Sequence, residues 1–242
     1  MKKKRPKLKK LTPNELSRFR KRLRSQIRHV TQDMGELLSK RTIFRDLIEI
    51  SDSNPNIRNP STFYDWIISN YVVSSCVLLR RLCDMDNRSI SLWRILYLLL
   101  EYPGIISRAS YRAVSGYSSQ ADSEFDKMVG KGRKILGPAA IRSDMAKLEK
   151  AEARIRRLVN KRLAHHGHPG ALRHIPTFRD LDNAIDTVHD FVLRYNSLLT
   201  NKGLTSAEII RVHNWETVLF TPWVLPGTRG SPLSEREKGN QK

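Results

Sequence analysis

The sequence predicts an all-α fold, a bundle of about five to six helices with a disordered basic N-terminal tail. Three observations predict it. Apolar residues recur at spacings of three and four, which is the period of a helix. Capping residues and Pro or Gly breakers divide the chain into such segments. No segment alternates apolar and polar residues over a length typical of a strand. We expect a tail over residues 1–11, one helical domain over 12–225 and a disordered tail over 226–242.

The first helix is predicted to begin at Thr12, because Thr12 can cap it and Glu15 can complete a capping box. It is expected to continue through Leu47 to Ile50. Its apolar stripe consists of Leu16, Phe19, Leu23, Ile27, Val30, Met34 and Leu37. Residues 51–60 contain Asn-Pro twice and are predicted to be a loop.

The second helix is expected from Ser61 or Thr62 to about Asp84. It carries two adjacent apolar stripes, which predict a wide buried face and a central position in the bundle. Residues 103–123 are rich in Ser, Tyr and Gly and are predicted to be a loop that contains at most one helical turn. The remaining helices are predicted, in chain order, over residues 89–101, 143–165, 177–199 and 205–220.

Positive charge is concentrated at the beginning of the chain. The sequence has 44 Lys+Arg and 24 Asp+Glu, a formal charge of +20. Residues 1–28, which we call the basic arm, hold 13 Lys/Arg and one acid, a net +12. Such an arm attracts polyanions through counterion release, which favours nucleic acid first and an anionic membrane second. A solubilising tail without a specific partner is the alternative.

The cysteines and the hydropathy exclude several classes of protein. Cys76 and Cys83 lie seven residues apart on one predicted helix, about 10 Å, too far for a disulfide. The longest uncharged stretch, residues 66–79, is too short to span a bilayer. The beginning of the chain lacks the apolar region of a signal peptide. We therefore expect a cytoplasmic protein.

The chemistry-bearing segment is the end of the predicted helix over 143–165. Arg162 and His165 lie three residues apart, so a helix would place them on one face. The guanidinium of Arg is suited to a phosphate, and His can move a proton near neutral pH. This pair fits cleavage of an RNA phosphodiester without a metal or cofactor. The alternative is that these residues are solvated at a fraying helix end.

Several short motifs together resemble a known family. The motifs are Tyr64-Asp65-Trp66, residues 80–86, 89–92, 160–165 and 176–181, Trp215, and Pro222-Trp223. In order and spacing they resemble the AbiU-type HEPN-like proteins of bacterial abortive infection, over roughly residues 30 to 225. The resemblance implies an all-α HEPN-like bundle, a homodimer, and a superfamily rich in metal-independent endoribonucleases. It also suggests a phage-defence or toxin setting with an antitoxin as a candidate partner.

The superfamily signature is an Arg, then a polar residue, then a His four to six residues beyond that Arg. His165 matches the His and Asn160 matches the polar position, whereas Val159 stands at the Arg position. Arg162 and Arg157 are the candidate replacements for that Arg. The separation of Arg162 and His168 also fits, but Gly and Pro around His168 disfavour a helix there.

Three hypotheses on function follow, and they belong to different classes. If the protein cleaves RNA, we expect His165 to act as general base or acid, Arg162 as phosphate ligand and Asn160 as an orienting group. If Val159 abolishes catalysis, we expect a non-catalytic module that binds nucleic acid or regulates a partner. A regulatory protein whose arm meets a membrane or an acidic partner is a third hypothesis. The predicted nucleic-acid contacts are Lys2, Lys3, Lys4, Arg5, Lys7, Lys9, Lys10, Arg157 and Lys161.

Two further clusters are candidates for function. Arg80, Arg81, Asp84 and Asp86 are interpreted as an internal charge network, with part of a binding face as the alternative. Arg81 and Asp84 are expected to form an ion pair on one helix face, and Arg88 to pair with Asp84 or Asp86. Four histidines between 165 and 174 suggest zinc, but neither Cys nor a His-Glu-x-x-His pattern accompanies them, so no metal site is predicted.

Overall fold

The computed structural model describes residues 11–54, 62–115, 119–163, 175–204, 206–207 and 217. The chain divides into two units, Met1–Ile209 and Ile210–Lys242, and every helix below belongs to the first. In chain order the helices are α1 (Pro13–Ser53), α2 (Thr62–Leu82), α3 (Leu92–Glu101), α4 (Arg108–Ser115), α5 (Ser119–Val129), α6 (Pro138–Leu158), a π-helical turn (Val159–Leu163) and α7 (Phe178–Thr200). The all-α prediction is confirmed for this part of the chain.

Helix α1 begins and ends close to the predicted positions. The Thr12 backbone N–H donates to Glu15 Oε2 at 2.9 Å, and the Glu15 N–H donates back to Thr12 Oγ1 at 3.4 Å, which completes the capping box. With 41 residues the helix is about 60 Å long. Its predicted stripe is buried from Leu23 to Leu37, with Leu16 and Phe19 packed at the edge of the core.

The core lies where α1, α2, α6 and α7 meet. Helix α1 packs against α7 and α2, and α6 packs against α7, α3 and α2. Seven of the ten residues of α3 are buried. Helix α3 begins at Leu92, three residues later than predicted, because Ser91 caps it and accepts from the Arg94 N–H at 3.0 Å.

The loop predicted over 103–123 is wrong, since α4 and the beginning of α5 lie there. The two helices bury few apolar residues, among them Tyr111 and Phe125, so their periodicity is weak. The two helices are joined by ion pairs, since Arg112 and Arg108 both contact Asp122. The bond from Arg112, followed by that from Arg108, lowers the pKa of Asp122 to about 2. These pairs join residues 14 and 10 positions apart in the sequence, and a local pattern does not reveal them.

Helix α6 also begins earlier than predicted, at Pro138 instead of Ser143. Pro suits the first turn of a helix because its missing N–H would lack an intrahelical partner there. Helix α7 begins after Thr177, whose hydroxyl and the Asp180 carboxylate form the predicted capping box. No helix in the described ranges has the length and hydropathy needed to cross a membrane. The helix predicted over 205–220 and both predicted tails lie outside the described residues, apart from Leu11 and a few isolated positions.

Candidate functional site

The segment singled out by the sequence follows α6 as the π-helical turn Val159–Leu163. In such a turn the backbone bonds run from residue i to i+5, so it is wider than an α-helix. Single π-turns occur frequently at functional sites because they re-aim the side chains that follow. The turn packs against α2. The predicted α-helix over 143–165 is therefore correct only to Leu158.

The π-turn separates an apolar inner side from a polar outer side. Leu158 and Val159 are buried, and Leu163 is half-buried against the core. Three consecutive polar side chains, those of Asn160, Lys161 and Arg162, are exposed. None of the three forms an ion pair with a residue that the structure describes. The turn thus presents one amide and two cations to solvent from a backbone held by buried neighbours.

Position 159 lies inside the core, where the family signature would place an Arg. The Val159 side chain is 7% exposed. Arg157 is exposed, and its Nε donates to the Ala153 carbonyl of its own helix at 3.3 Å. Neither Arg157 nor Arg162 occupies the buried position of Val159. A cation that serves this site must therefore act from the surface.

A buried ion pair holds the end of α6 just before the π-turn. Arg156 Nη1 donates to Glu152 Oε1 at 3.0 Å, and the Glu152 side chain is 1% exposed. The same guanidinium lies 4.0 Å from Met85 Sδ in the connection between α2 and α3. Burial, and secondarily the Glu152 carboxylate, raises the pKa of the nearby Cys83 thiol. Arg156 therefore has a structural role in its pair with Glu152. Both cysteines, Cys76 and Cys83, are buried free thiols.

The charged cluster after α2 has a different pairing from the one predicted. Arg80 pairs with Asp84 at 3.1 Å, whereas Arg81 reaches across to Asp33 of α1 at 2.7 Å. The predicted pair of Arg81 and Asp84 is therefore wrong. Arg80, four residues before Asp84, pairs with it, whereas the Arg81 side chain points toward α1. Arg88 pairs with Asp86, one of its two predicted partners, and lowers the pKa of Asp86 to about 2. This cluster is structural, as expected.

Several predicted site residues lie outside the described residues. They are His165 with the other histidines of 165–174, and the seven Lys/Arg of residues 2–10. The pairing of Arg162 with His165 and the contacts of the basic arm stay predictions. Arg157, Asn160, Lys161 and Arg162 are described and lie within one short surface segment.

Helix α2 carries an exposed, largely apolar stripe that was not predicted from the sequence. It runs through Phe63, Trp66, Asn70, Val73 and Val77, and we call these five residues the α2 stripe. Trp66 is 59% exposed and stacks on Phe63, with ring centroids 5.7 Å apart. Beside it lies a groove of about 330 Å³ that is lined in part by Ile67, Asn70 and Tyr71. The 3/4 spacing of the stripe was visible in the sequence, but the two stripes that α2 buries have the same spacing.

The comparison with protein families agrees with this helical architecture. A family model described as AbiU2, of the HEPN group, matches residues 51–218, more than half of the chain. The match contains α2 to α7 and the π-turn, whereas α1 up to residue 50 precedes it. No curated protein and no solved structure matches the chain. With its helices in place and a family match that includes the candidate site, the chain belongs to the AbiU2 family of HEPN proteins.

Proposed function

We propose that this chain is an RNA-directed protein of the cytoplasm that cleaves RNA without a metal, in a bacterial phage-defence or toxin–antitoxin setting. The observation that carries the proposal is the π-turn, which presents Asn160, Lys161 and Arg162 to solvent. Guanidinium and ammonium groups that face solvent and form no ion pair with a described residue are suited to phosphate oxygens. In the toxin setting, an antitoxin is the proposed protein partner.

The proposed chemistry uses three side chains. His165 takes the proton of an RNA 2′-OH, and the 2′-oxygen attacks the adjacent phosphorus. The P–O5′ bond breaks, the leaving 5′-oxygen takes a proton from water, and protonated His165 returns its proton to the solvent. The products are a 2′,3′-cyclic phosphate and a 5′-OH. Arg162 stabilises the negative charge that accumulates on the phosphate oxygens, and Asn160 orients the phosphate. No step requires a metal ion or an electron acceptor.

The proposal is tested by incubating the purified protein with total RNA in EDTA beside His165→Ala. We expect cleavage by the parent and a loss of about 10²- to 10⁴-fold in the variant, the range for one general acid or base. Arg142→Ala is the control, because Arg142 is an exposed residue on α6 outside both the π-turn and the N-terminal half of α1. Equal cleavage by the parent and His165→Ala would overturn the assignment of His165.

The second candidate function is RNA binding without cleavage, and the burial of Val159 favours it. The position that holds the signature Arg in the superfamily belongs to the core here. In this case neither protein cleaves RNA in EDTA, but the parent retains RNA on a filter at low salt. Binding then weakens steeply as salt increases and falls when residues 2–10 are deleted.

We propose further that the chain forms a homodimer through the α2 stripe. Its spacing of 3, 4, 3 and 4 residues is that of the a and d positions of a coiled coil, with Asn70 at the central a position. No charged residue lies between Trp66 and Leu79, and depletion of charge is typical of interface cores.

A second copy fits this surface because the surface can complement itself. A twofold interface uses the same patch on both subunits. The stripe carries large rings at its N-terminal end and two valines at its C-terminal end. An antiparallel pair of α2 helices places the rings of one copy opposite the valines of the other. The groove beside Asn70 offers space for a protruding aromatic ring such as that of Trp66.

Replacing Trp66 with glutamate is expected to produce a monomer where the parent is a dimer, because a carboxylate on each stripe would be buried in the interface. Sedimentation equilibrium over a range of protein concentrations measures the difference. Ile90→Glu is the matched control, since Ile90 is an exposed apolar residue outside α2. A parent that is monomeric throughout, or a dimeric Trp66→Glu, would overturn the α2 stripe as the dimer interface.

A further inference from the structure

The N-terminal half of α1 has an exposed face that is cationic and free of acids. Between Ser17 and Gln32 every exposed residue is polar, and the exposed set is Ser17, Arg18, Lys21, Arg22, Ser25, Arg28, His29 and Gln32. At 100° per residue the five basic side chains fall within about one third of the helix circumference. We call Arg18, Lys21, Arg22 and Arg28 the α1 basic face.

The other cations of this half-helix have structural roles. Arg20 Nε donates to the Ile105 carbonyl at 2.9 Å, and Arg24 Nε donates to the Leu199 carbonyl at 2.8 Å. None of the four residues of the α1 basic face forms an ion pair with a described residue. The sequence therefore uses two of six cations to hold the fold and leaves four on the surface.

Nearby carboxylates do not neutralise the α1 basic face. Glu15 is held in the capping box, and the bonds from Thr12 lower its pKa, with a smaller contribution from Arg18. Farther along α1, Asp33 pairs with Arg81 at 2.7 Å and Glu36 pairs with Lys40 at 3.4 Å. The four cations thus produce a local positive potential about 15 Å long.

We propose that the α1 basic face is a docking surface for the RNA backbone. This inference rests on the proposed RNA-directed function and adds a binding surface outside the family match, which begins at residue 51. Arg and Lys that face solvent without acidic neighbours contact phosphates and release counterions. A membrane is the less favoured occupant: the exposed side of this half-helix has no apolar residue to insert, and an interfacial helix requires an apolar face in the lipid.

A strand on the α1 basic face lies along the length of about 15 Å from Arg18 to Arg28. The contacts are to phosphates, so this surface contributes affinity without base specificity.

The test measures binding of a short single-stranded 2′-O-methyl RNA of mixed sequence. Such an RNA has no free 2′-OH, so its binding is read independently of cleavage. The variant is Arg18→Gln, Lys21→Gln, Arg22→Gln and Arg28→Gln combined, with Gln chosen because it is a good helix former. The control is Lys127→Gln, Lys131→Gln, Arg142→Gln and Lys147→Gln combined, which removes the same charge from exposed positions outside α1.

We expect the α1 variant to bind at least about tenfold more weakly near 50 mM salt, and the slope of log K against log[salt] to become shallower by about two to three. The control should retain most of the parent affinity, and circular dichroism should show both variants folded. An unchanged slope in the α1 variant, or an equal loss in the control, would overturn the docking surface.

Vesicles containing phosphatidylserine separate the membrane from the RNA. If the α1 variant loses vesicle binding but keeps RNA binding, the proposed occupant is wrong. If the parent binds this RNA and cleaves none of its 2′-OH counterpart, the proposed nuclease fails while the docking surface stands.

Discussion

Replacing Arg162 with alanine is expected to slow RNA cleavage by about 10²- to 10³-fold, the usual effect of removing one donor that stabilises transition-state charge. Arg162 is exposed on the π-turn and has no ion-pair partner among the described residues, so its substitution should leave the fold intact. The loss should appear in the single-turnover rate at saturating RNA more than in RNA retention, because the phosphate acquires its additional charge only in the transition state.

Two further variants make the Arg162 experiment specific. Arg162→Lys keeps the charge but loses the planar fork, and we expect it to restore part of the rate. Arg142→Ala removes an exposed arginine from α6, the helix that precedes the π-turn, and should cleave at the parent rate. Parent-like cleavage by Arg162→Ala would show that another cation contacts the phosphate, and Arg157 would be the next to replace.

Replacing Asp144 with alanine is expected to lower the free energy of unfolding more than any of the other substitutions named above. Its Oδ2 accepts from Arg194 Nη1 at 2.6 Å and from the Tyr195 hydroxyl at 2.7 Å, and both donors belong to α7. Removing one partner of a buried ion pair leaves an uncompensated charge in the core, which costs about 3 to 5 kcal/mol. Arg194 is 28% exposed and also donates to the Met128 carbonyl, so we expect about 3 kcal/mol, the lower end.

Thermal unfolding measures this effect. For a domain of this size, about 3 kcal/mol corresponds to a decrease in Tm of about 10 °C. Asp144→Asn keeps an acceptor for the hydroxyl and should lose less. Asp190→Ala, at an exposed position on α7, is the control and should change the free energy of unfolding by less than about 0.5 kcal/mol. A Tm for Asp144→Ala equal to that of the control would mean that the contacts of Asp144 with Arg194 and Tyr195 contribute nothing to stability.

Helices with a strong local signal were predictable from the sequence. Thr12 with Glu15, and Thr177 with Asp180, begin α1 and α7 where the capping boxes predict. Each of these helices also has a long apolar stripe, so two independent local signals agree. Helices α4 and α5 have no long apolar stripe. Ser107 caps α4, since its Oγ accepts from the Ser110 N–H at 3.1 Å, and Arg108 and Arg112 join the two helices by pairing with Asp122. A contact of that kind exists only after the chain has folded.

The candidate site was located by sequence, but its geometry was not. The sequence indicated the run from Leu158 to His166 as the informative segment, and the family match includes it. A helical wheel assumes 3.6 residues per turn throughout, so it could not reveal the π-turn at Val159–Leu163. The same limitation applies to the pairing of Arg81, since the partner Asp33 lies 48 residues away in sequence.

By itself the sequence determined the helical class, the residues at which the capped helices begin, the concentration of positive charge in the basic arm and the family. These properties depend on residue type and local spacing, so they can be read without a fold. The tertiary structure alone decided which exposed surfaces remain: the α2 stripe, the α1 basic face and the outward side of the π-turn. Burial is a property of packing, and three stripes with the same spacing on α2 became inner or outer only when neighbouring helices covered two of them.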